Sequence, residues 1–414
     1  MDQPFPLRFA AAMARLGPWE PAPVLAAGVS GGADSTALAI LGNQWARTQG
    51  GRLLALIVDH GLRAESAAEA RLTHDRLAAL GIEARILTVD GLVRGPALAE
   101  RARNARYDLL RAACDQAGIL HLLLGHHALD QAETVMMRVL GGSADRGLAG
   151  MAAITEGVGP RLLRPLLAEP PVSLRRFCAE RGVAWVEDPS NASPAARRSR
   201  LRLRQGDPHG DGPGTRALVE AAADAGHRRA AQDRRIADIL AERVTIRPEG
   251  FALLTPGVIN PDALAAVLRT IAGASYPPSP GPVADLARAL RPMTLAGVRL
   301  LDAGRLGPGW LLIREERSIA PAIPATKGAI WDRRFRVVDD LPNVTIGALG
   351  NDAPRLRRHS PLPSAVLRTL PAFRFGNVLA AVPHLLYRDP AFGLEPRVVY
   401  HPPVPLAGAP FAPI

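Results

Sequence analysis

Val29-Ser30-Gly31-Gly32-Ala33-Asp34-Ser35-Thr36 is the stretch on which the reading of this chain turns. An apolar run with strand character, Val24–Val29, leads into it, and Ser35–Gln49, with the 3.6-residue periodicity of a helix, leads out. Glycines at a strand-to-helix turn let successive backbone N–H groups face one anion, and the helix N-terminus adds its partial positive charge there. Ser30, Ser35 and Thr36 supply hydroxyl donors. Asp34 would repel a phosphate unless a cation stood between them, so a Mg²⁺ shared by Asp34 and a nucleotide suits the charges. A kinase-type loop ends in Gly-Lys-Ser/Thr, with the lysine on the terminal phosphates, and this loop has no lysine. The bland alternative is a Gly-rich turn in which Asp34 or Ser35 caps the helix.

Outward from this loop, short apolar runs alternate with longer helical stretches. Leu53–Val58, Ala84–Val89 and Leu120–Leu124 read as strands, with helices at Glu65–Leu80 and Leu98–Ala117. The alternation predicts an α/β fold, a doubly wound and mostly parallel sheet that binds ligands beyond the carboxyl ends of its strands. In Arg103-Asn104-Ala105-Arg106-Tyr107, two arginines three apart share a helix face and could meet phosphates or RNA; a solvated face is the alternative. Gly125-His126-His127-Ala128-Leu129-Asp130-Gln131-Ala132-Glu133-Thr134 follows the fourth strand and opens a helix. Helical spacing groups positions 126, 130 and 133, so His126, Asp130 and Glu133 are expected above the same strand ends. Asp130 could bind the metal or orient an amine, and His126 could contact the α-phosphate or assist proton transfer.

The loop resembles the Ser-Gly-Gly-x-Asp-Ser loop of the PP-loop ATP pyrophosphatases, and the later segments resemble those of the tRNA(Ile)-lysidine synthetases. These are Val58-Asp59-His60-Gly61-Leu62-Arg63, Arg103 to Tyr107, Gly125 to Thr134, Gly147-Leu148-Ala149-Gly150-Met151, Arg164-Pro165-Leu166-Leu167 and Glu187-Asp188-Pro189-Ser190-Asn191. Leu129 stands where that family has the first of two aspartates, Ser199 replaces an asparagine in its basic Arg-Asn-Arg-x-Arg run, and Ala296 in Thr294-Leu295-Ala296-Gly297 replaces a glycine. The resemblance implies that Ser30, Gly31, Gly32, Ala33, Asp34, Ser35 and Thr36 bind ATP, with Val58 and His60 against adenine. It implies Asp34, His126 and Asp130 as catalytic residues, Mg²⁺ on Asp34 and Asp130, and Arg103, Arg106, Glu133, Arg198, Arg200 and Arg202 toward tRNA or the amine. The implied reaction adenylates the wobble cytidine of the CAU-anticodon isoleucine tRNA and displaces AMP with L-lysine. A thiolase of the same fold, or an RNA-binding module without catalysis, remains as an alternative.

Composition bounds these readings. At 414 residues the chain exceeds one usual core, and the expected division is a catalytic domain over 1–205, a helical linker and small domain over 206–320, and a C-terminal domain over 321–414. The smaller domains are expected to be α+β, the last one tRNA-binding. The net charge of +11, with Lys327 the sole lysine, favours a polyanionic partner. The basic stretch holding Arg197, Arg198, Arg200, Arg202 and Arg204 fits RNA backbone contact or a solubilising linker. Cys114 and Cys178, 64 residues apart, build no disulfide framework or Cys-x-x-Cys pair, which fits a reducing cytoplasm. No run reaches the roughly 18 apolar residues of a membrane span, no signal peptide is read at the N-terminus, and a homodimer is compatible with the sequence.

Overall fold

The computed structural model describes residues 3–62, 65–89, 91–92, 95, 97–143, 145–157, 159–186, 207, 209–393 and 395–414. The basic run with Arg198, Arg200 and Arg202, and the segment Glu187 to Asn191, lie outside the described residues. The chain forms two compact units, Met1–Ala231 with Pro410–Ile414, and Gln232–Ala409.

In the first unit, helix α1 (Phe5–Arg15) precedes β1 (Val24–Val29), α2 (Ala33–Thr48), β2 (Arg52–Asp59), α3 (Ser66–Ala79), β3 (Glu83–Thr88), α4 (Leu98–Ala117), β4 (His121–Leu124) and α5 (Ala128–Leu140). A short α6 (Asp145–Leu148), β5 (Ile154–Thr155), β6 (Arg161–Leu163), α7 (Pro171–Ala179) and the long α8 (Pro213–Arg243), whose residues from Gln232 on belong to the second unit, follow. The sheet order is β3-β2-β1-β4-β6-β5, parallel except where β5 pairs antiparallel with β6. Strand pleating divides β1 between two cores. Leu25, Ala27 and Val29 pack with Phe9, Met13, Leu38, Leu174 and Phe177 on one face, whereas Ala26 packs with Leu110, Cys114 and Leu122 on the other. Both faces of the central strands are thus covered, and β1, β2 and β4 are buried along nearly their whole length, whereas the edge strand β3 alternates.

The order reverses beside β1, which runs to β2 on one side and is flanked by β4 on the other, and such a reversal opens a crevice at the carboxyl ends of the strands. Gly125, just past β4, lies against the start of α2. A Cβ there would sit 3.4 Å from Ser35 Cα, so the glycine permits this close approach.

The second unit is antiparallel. Strands β7 (Val244–Arg247), β8 (Phe251–Leu254), β9 (Met293–Leu295), β10 (Val298–Asp302) and β11 (Trp310–Arg314) form a sheet ordered β7-β8-β11-β10-β9, covered by α9 (Pro261–Ala272) and α10 (Pro280–Arg288). The remaining strands are β12 (Ile323–Pro324), β13 (Ile330–Trp331), β14 (Phe335–Val337), β15 (Val344–Ala348), β16 (Pro371–Phe375), β17 (Val378–Val382), β18 (Tyr387–Arg388) and β19 (Val398–Tyr400). They make a five-stranded sheet, β12-β15-β16-β17-β18, and a three-stranded one, β13-β14-β19.

Within the helical linker expected near the start of 206–320, α8 begins at Pro213 for a local reason. Asp207 Oδ2 accepts from the Gly212 amide at 2.9 Å and from Thr215 Oγ1 at 2.5 Å, which satisfies donors at the head of the helix. Ala296, where a glycine is usual in the resembled family, turns the β9–β10 hairpin at φ +50°, followed by Gly297 at φ +74°. Two positive φ angles in a two-residue loop are the type I′ geometry, and a Cβ in that region costs about 1–2 kcal/mol. Ala296→Gly is therefore expected to leave the second unit equally or more stable, by up to about 1 kcal/mol in urea unfolding; a clear loss would refute the strain.

Candidate active site

The loop after β1 folds on itself around one side chain. Ser35 Oγ accepts the Ser30 amide at 3.1 Å, lies 3.2 Å from Ser30 Oγ and donates to the Gly32 carbonyl at 3.0 Å. Gly31 takes φ +86°, and a Cβ there would come within 2.5 Å of Thr73 Oγ1, so glycine is required on two grounds. The Val186 amide donates to the Gly31 carbonyl at 2.8 Å and pins the loop from a distant segment. Gly32 is the N-cap of α2 and supplies no capping side chain, which leaves the first turn's N–H groups for an anion. Ser35 and Thr36 are buried; Ser30 is exposed.

Asp34 lies in the first turn of α2, half-buried, and its Oδ1 is a buried atom with no hydrogen-bond partner. Across the crevice, Asp130 lies in the first turn of α5. Between them stands His127, whose Nε2 is 3.5 Å from Asp34 Oδ2 and 3.5 Å from Asp130 Oδ2. Among the described residues no group of three or more His, Cys, Asp or Glu side chains forms a self-sufficient metal cage. Two carboxylates, each 3.5 Å from the same His127 nitrogen, instead match the habit of Mg²⁺, which binds through one or two carboxylate oxygens together with substrate phosphates and water.

A cationic group of side chains adjoins this acidic pair. Arg106, on α4, lies against the end of β1, its Nη2 3.6 Å from where a Gly28 Cβ would be. Burial lowers its pKa, and among the described residues it has no hydrogen-bond or ion-pair partner. Arg103 is exposed and lies over the Tyr107 ring at 5.2 Å. Arg164, nearly buried, donates to the Ala152 carbonyl at 2.8 Å and to Thr155 Oγ1 at 2.9 Å. His126 and His60 each bury an Nδ1 with no partner. Burial first, then the charge of Arg106, holds the His60 imidazole below its ordinary value, with Asp59 opposing. Asp59 is committed to the turn, accepting from the Gly61 amide at 2.9 Å and from Ser66 Oγ at 2.7 Å. Val58 is half-buried at the end of β2.

Burial pushes His126 down to about 4; Asp130 opposes, and Arg164, Arg103 and Arg106 add to the depression. Its imidazole is thus expected to be neutral throughout physiological pH. Because the folded pKa is below the unfolded value of about 6.5, the stability this group contributes is present above that value and is lost as pH falls toward 4. A nitrogen-detected NMR titration of the free protein should give a midpoint near 4, and added pyrophosphate should raise it, since an anion favours the imidazolium. A midpoint above 6 without ligand would contradict the geometry.

The expected grouping of His126, Asp130 and Glu133 on one helix face takes a different form. The helix begins only at Ala128, because His127 is extended (φ −128°, ψ −178°), so His126 precedes the helical phase. His126 still feels Asp130. Glu133 is fully buried on α5, and Leu129 is buried with its Cβ beside Gly210. Sequence reasoning passed over three further residues. His127 is the N-cap of α5, and a polar residue followed three positions later by an acid is a capping signal that could have flagged it. Gln131 exchanges two hydrogen bonds with Met151, at 3.2 and 2.7 Å, and Arg138 donates to the carbonyls of Gly147 and Gly150 at 2.6 and 2.7 Å, which ties the 147–151 segment to α5. Cys114 and Cys178 are free and buried, their thiols pushed up by burial to about 12 and about 11. Neither is poised as a thiolate that could carry sulfur.

Residues 6–206 match the family model described as a PP-loop domain. A tRNA(Ile)-lysidine synthase of Mesorhizobium japonicum is 36% identical over 405 residues, covering 90% of this chain and 85% of that protein. One of Rhodopseudomonas palustris is 36% identical over 75% of this chain and 94% of its own length, and one of Ruegeria pomeroyi 33% identical over 87% and 88%. Among solved structures, a U34-tRNA thiolase of Methanococcus maripaludis aligns with a TM-score of 0.44 and 19% identity, over 52% of this chain and 77% of that one.

Proposed function

This chain belongs to the tRNA(Ile)-lysidine synthase family, and on that premise we propose that it uses ATP to join L-lysine to the 2-position of the wobble cytidine in the CAU-anticodon isoleucine tRNA, releasing AMP and pyrophosphate. One observation carries the assignment of the site. The loop at 30–36 and the His126–Asp130 segment meet at the strand-order reversal between β1 and β4, with a cationic group beside an acidic pair.

In the first step the cytidine 2-carbonyl oxygen attacks the α-phosphate; a C–O–P linkage forms and the bond to the β-phosphate breaks. The amides of the loop, the hydroxyls of Ser30, Ser35 and Thr36, and the head of α2 hold the departing pyrophosphate. Arg106 and Arg103 offset negative charge that builds on the transferring phosphoryl group. Val58 and His60 bound the adenine side. In the second step lysine's amine attacks C2 and AMP leaves with the oxygen. His126, kept neutral by its surroundings, can accept the proton that the amine loses. Asp34 and Asp130 would hold Mg²⁺, which supplies electrostatic stabilisation of the leaving pyrophosphate when bound, and the orphaned buried Oδ1 of Asp34 fits that duty. Glu133 and Asp130 are the acids proposed to recognise lysine.

The residues of 206–320 and 321–414 are proposed to hold the tRNA, with Arg198, Arg200 and Arg202 on its backbone. No helix among the described residues is long and apolar enough to cross a membrane, and we place the reaction in the cytoplasm, where its substrates are.

The test incubates the protein with ATP, Mg²⁺, radiolabelled lysine and either the CAU-anticodon isoleucine tRNA or methionine tRNA. Label confined to the isoleucine tRNA, with AMP and pyrophosphate released, is the expected result. Pyrophosphate release without lysine incorporation would assign the site to a different PP-loop reaction.

A further inference from the structure

His127 stands between the two acidic groups of the crevice, its Nε2 3.5 Å from a carboxylate oxygen of each. Its ring is buried, and the backbone around it is fixed by a reciprocal cap, in which the His127 amide donates to Asp130 Oδ2 at 3.1 Å and the Asp130 amide to His127 Nδ1 at 3.5 Å. A ring whose Nδ1 accepts carries its proton on Nε2 when neutral. That N–H is the group set 3.5 Å from Asp34 Oδ2 and 3.5 Å from Asp130 Oδ2. The two carboxylates come from different helices, α2 and α5, after different strands, and nothing covalent nearby fixes their separation. Without a group between them, two like charges facing one crevice repel and drift apart.

We infer that His127 is a positioning residue, whose Nε2–H stands between Asp34 and Asp130 and sets their separation across the crevice so that a divalent cation arriving with the nucleotide meets both. The inference rests on the reading above that these carboxylates hold Mg²⁺. His127 acts through them and touches neither the nucleotide nor the base, in contrast to His126, which lies among the arginines. Outer partners that orient metal ligands typically affect metal affinity by about 10–100-fold.

Capping and bridging can be separated by substitution. Asparagine is among the best N-cap residues but is too short to place a donor where Nε2 stands, whereas glutamine can extend its amide N–H toward that point. Binding of Mn²⁺ to the full chain, with a non-hydrolysable ATP analogue present, is read from the free-ion signal in electron paramagnetic resonance. His127→Asn should keep the wild-type melting temperature within about 2 °C and bind Mn²⁺ about 10–100-fold more weakly. His127→Gln should recover most of the loss. In turnover, saturating Mg²⁺ should restore kcat in His127→Asn. Should His127→Asn unfold early, the glutamine variant decides, and failure of recovery there overturns the inference. Unchanged Mn²⁺ binding in His127→Asn, with binding lost in Asp34→Asn, overturns this inference alone; unchanged binding in Asp34→Asn means that the metal assignment itself is wrong.

Discussion

Arg106→Met is expected to make the free protein more stable and almost inactive. The guanidinium is largely withdrawn from water at the carboxyl end of β1 with no carboxylate or hydrogen-bond acceptor to receive it among the described residues, and its neighbours include the like charge of Arg103. An uncompensated buried charge is costly, and even replacing paired buried charges by apolar side chains of similar volume often stabilises by about 1–4 kcal/mol. The lower end of that range is appropriate here because the side chain is not sealed from solvent, so a rise of a few degrees in melting temperature follows. The same charge is what a transferring phosphoryl group would meet, and loss of one such donor typically costs about 10²–10³-fold in turnover. Thermal unfolding and kcat/KM on the two proteins check both halves. Adding the ATP analogue should reverse the order of stability, since a ligand that binds only the wild type well stabilises only the wild type. A lower melting temperature for the ligand-free variant would mean that Arg106 has a native partner, and the stored cost would be absent.

This opposition of stability and function also shows why the crevice was partly legible in sequence. The strands of the first sheet announce themselves because burial on both faces demands runs such as Leu53–Val58, and the loop between β1 and α2 because only certain residues permit its turn. Helix α4 was read at Leu98–Ala117, where the structure has it. What periodicity cannot supply is which side chain lies across from which. His127 and Asp34 are 93 positions apart in sequence and meet only because β4 neighbours β1. The phase of α5 was misjudged by two residues because an extended N-cap is invisible to a 3.6-residue count. Strands β5 and β6, two and three residues long, are too short for any period to register. The closing residues 410–414 give no local signal either. They join the first unit through Phe411, which packs on Ala149 and Ala225 and lies under Arg229 at 4.5 Å, and through the Ala412 carbonyl, which accepts from the Ala153 amide at 2.9 Å.

The second unit should fail first at Asp332. This carboxylate is buried between two buried guanidiniums; Oδ2 accepts from Arg334 Nη2 at 2.6 Å and from Arg314 Nε at 3.2 Å, and Oδ1 accepts from the Ala320 amide at 3.0 Å. Burial lowers the Arg334 pKa, with the like charge of Arg314 acting the same way, and Asp332 is the first influence opposing it. The arginines are also joined to the backbone, Arg334 to the Gly250 carbonyl at 3.1 Å and Arg314 to the carbonyls of Gly297 and Ser318, so that the trio links β11 to the β13–β14 hairpin and to the β7–β8 turn. Asp332→Asn preserves shape, and asparagine tolerates the φ of +47° at this position, so the substitution removes charge and little else. Two cations would then share a dry site with no anion, a loss of about 3–5 kcal/mol by the usual cost of breaking a buried pair. Urea unfolding should show the loss in the midpoint, with an unchanged slope if the unfolded state is the same. Replacing Arg314, Asp332 and Arg334 together by apolar residues of similar volume should restore much of the stability, because the penalty lies in the orphaned charges and not in the missing bonds. If Asp332→Asn costs under about 1 kcal/mol, water must reach the arginines, and the trio would count as no more than a surface ion pair.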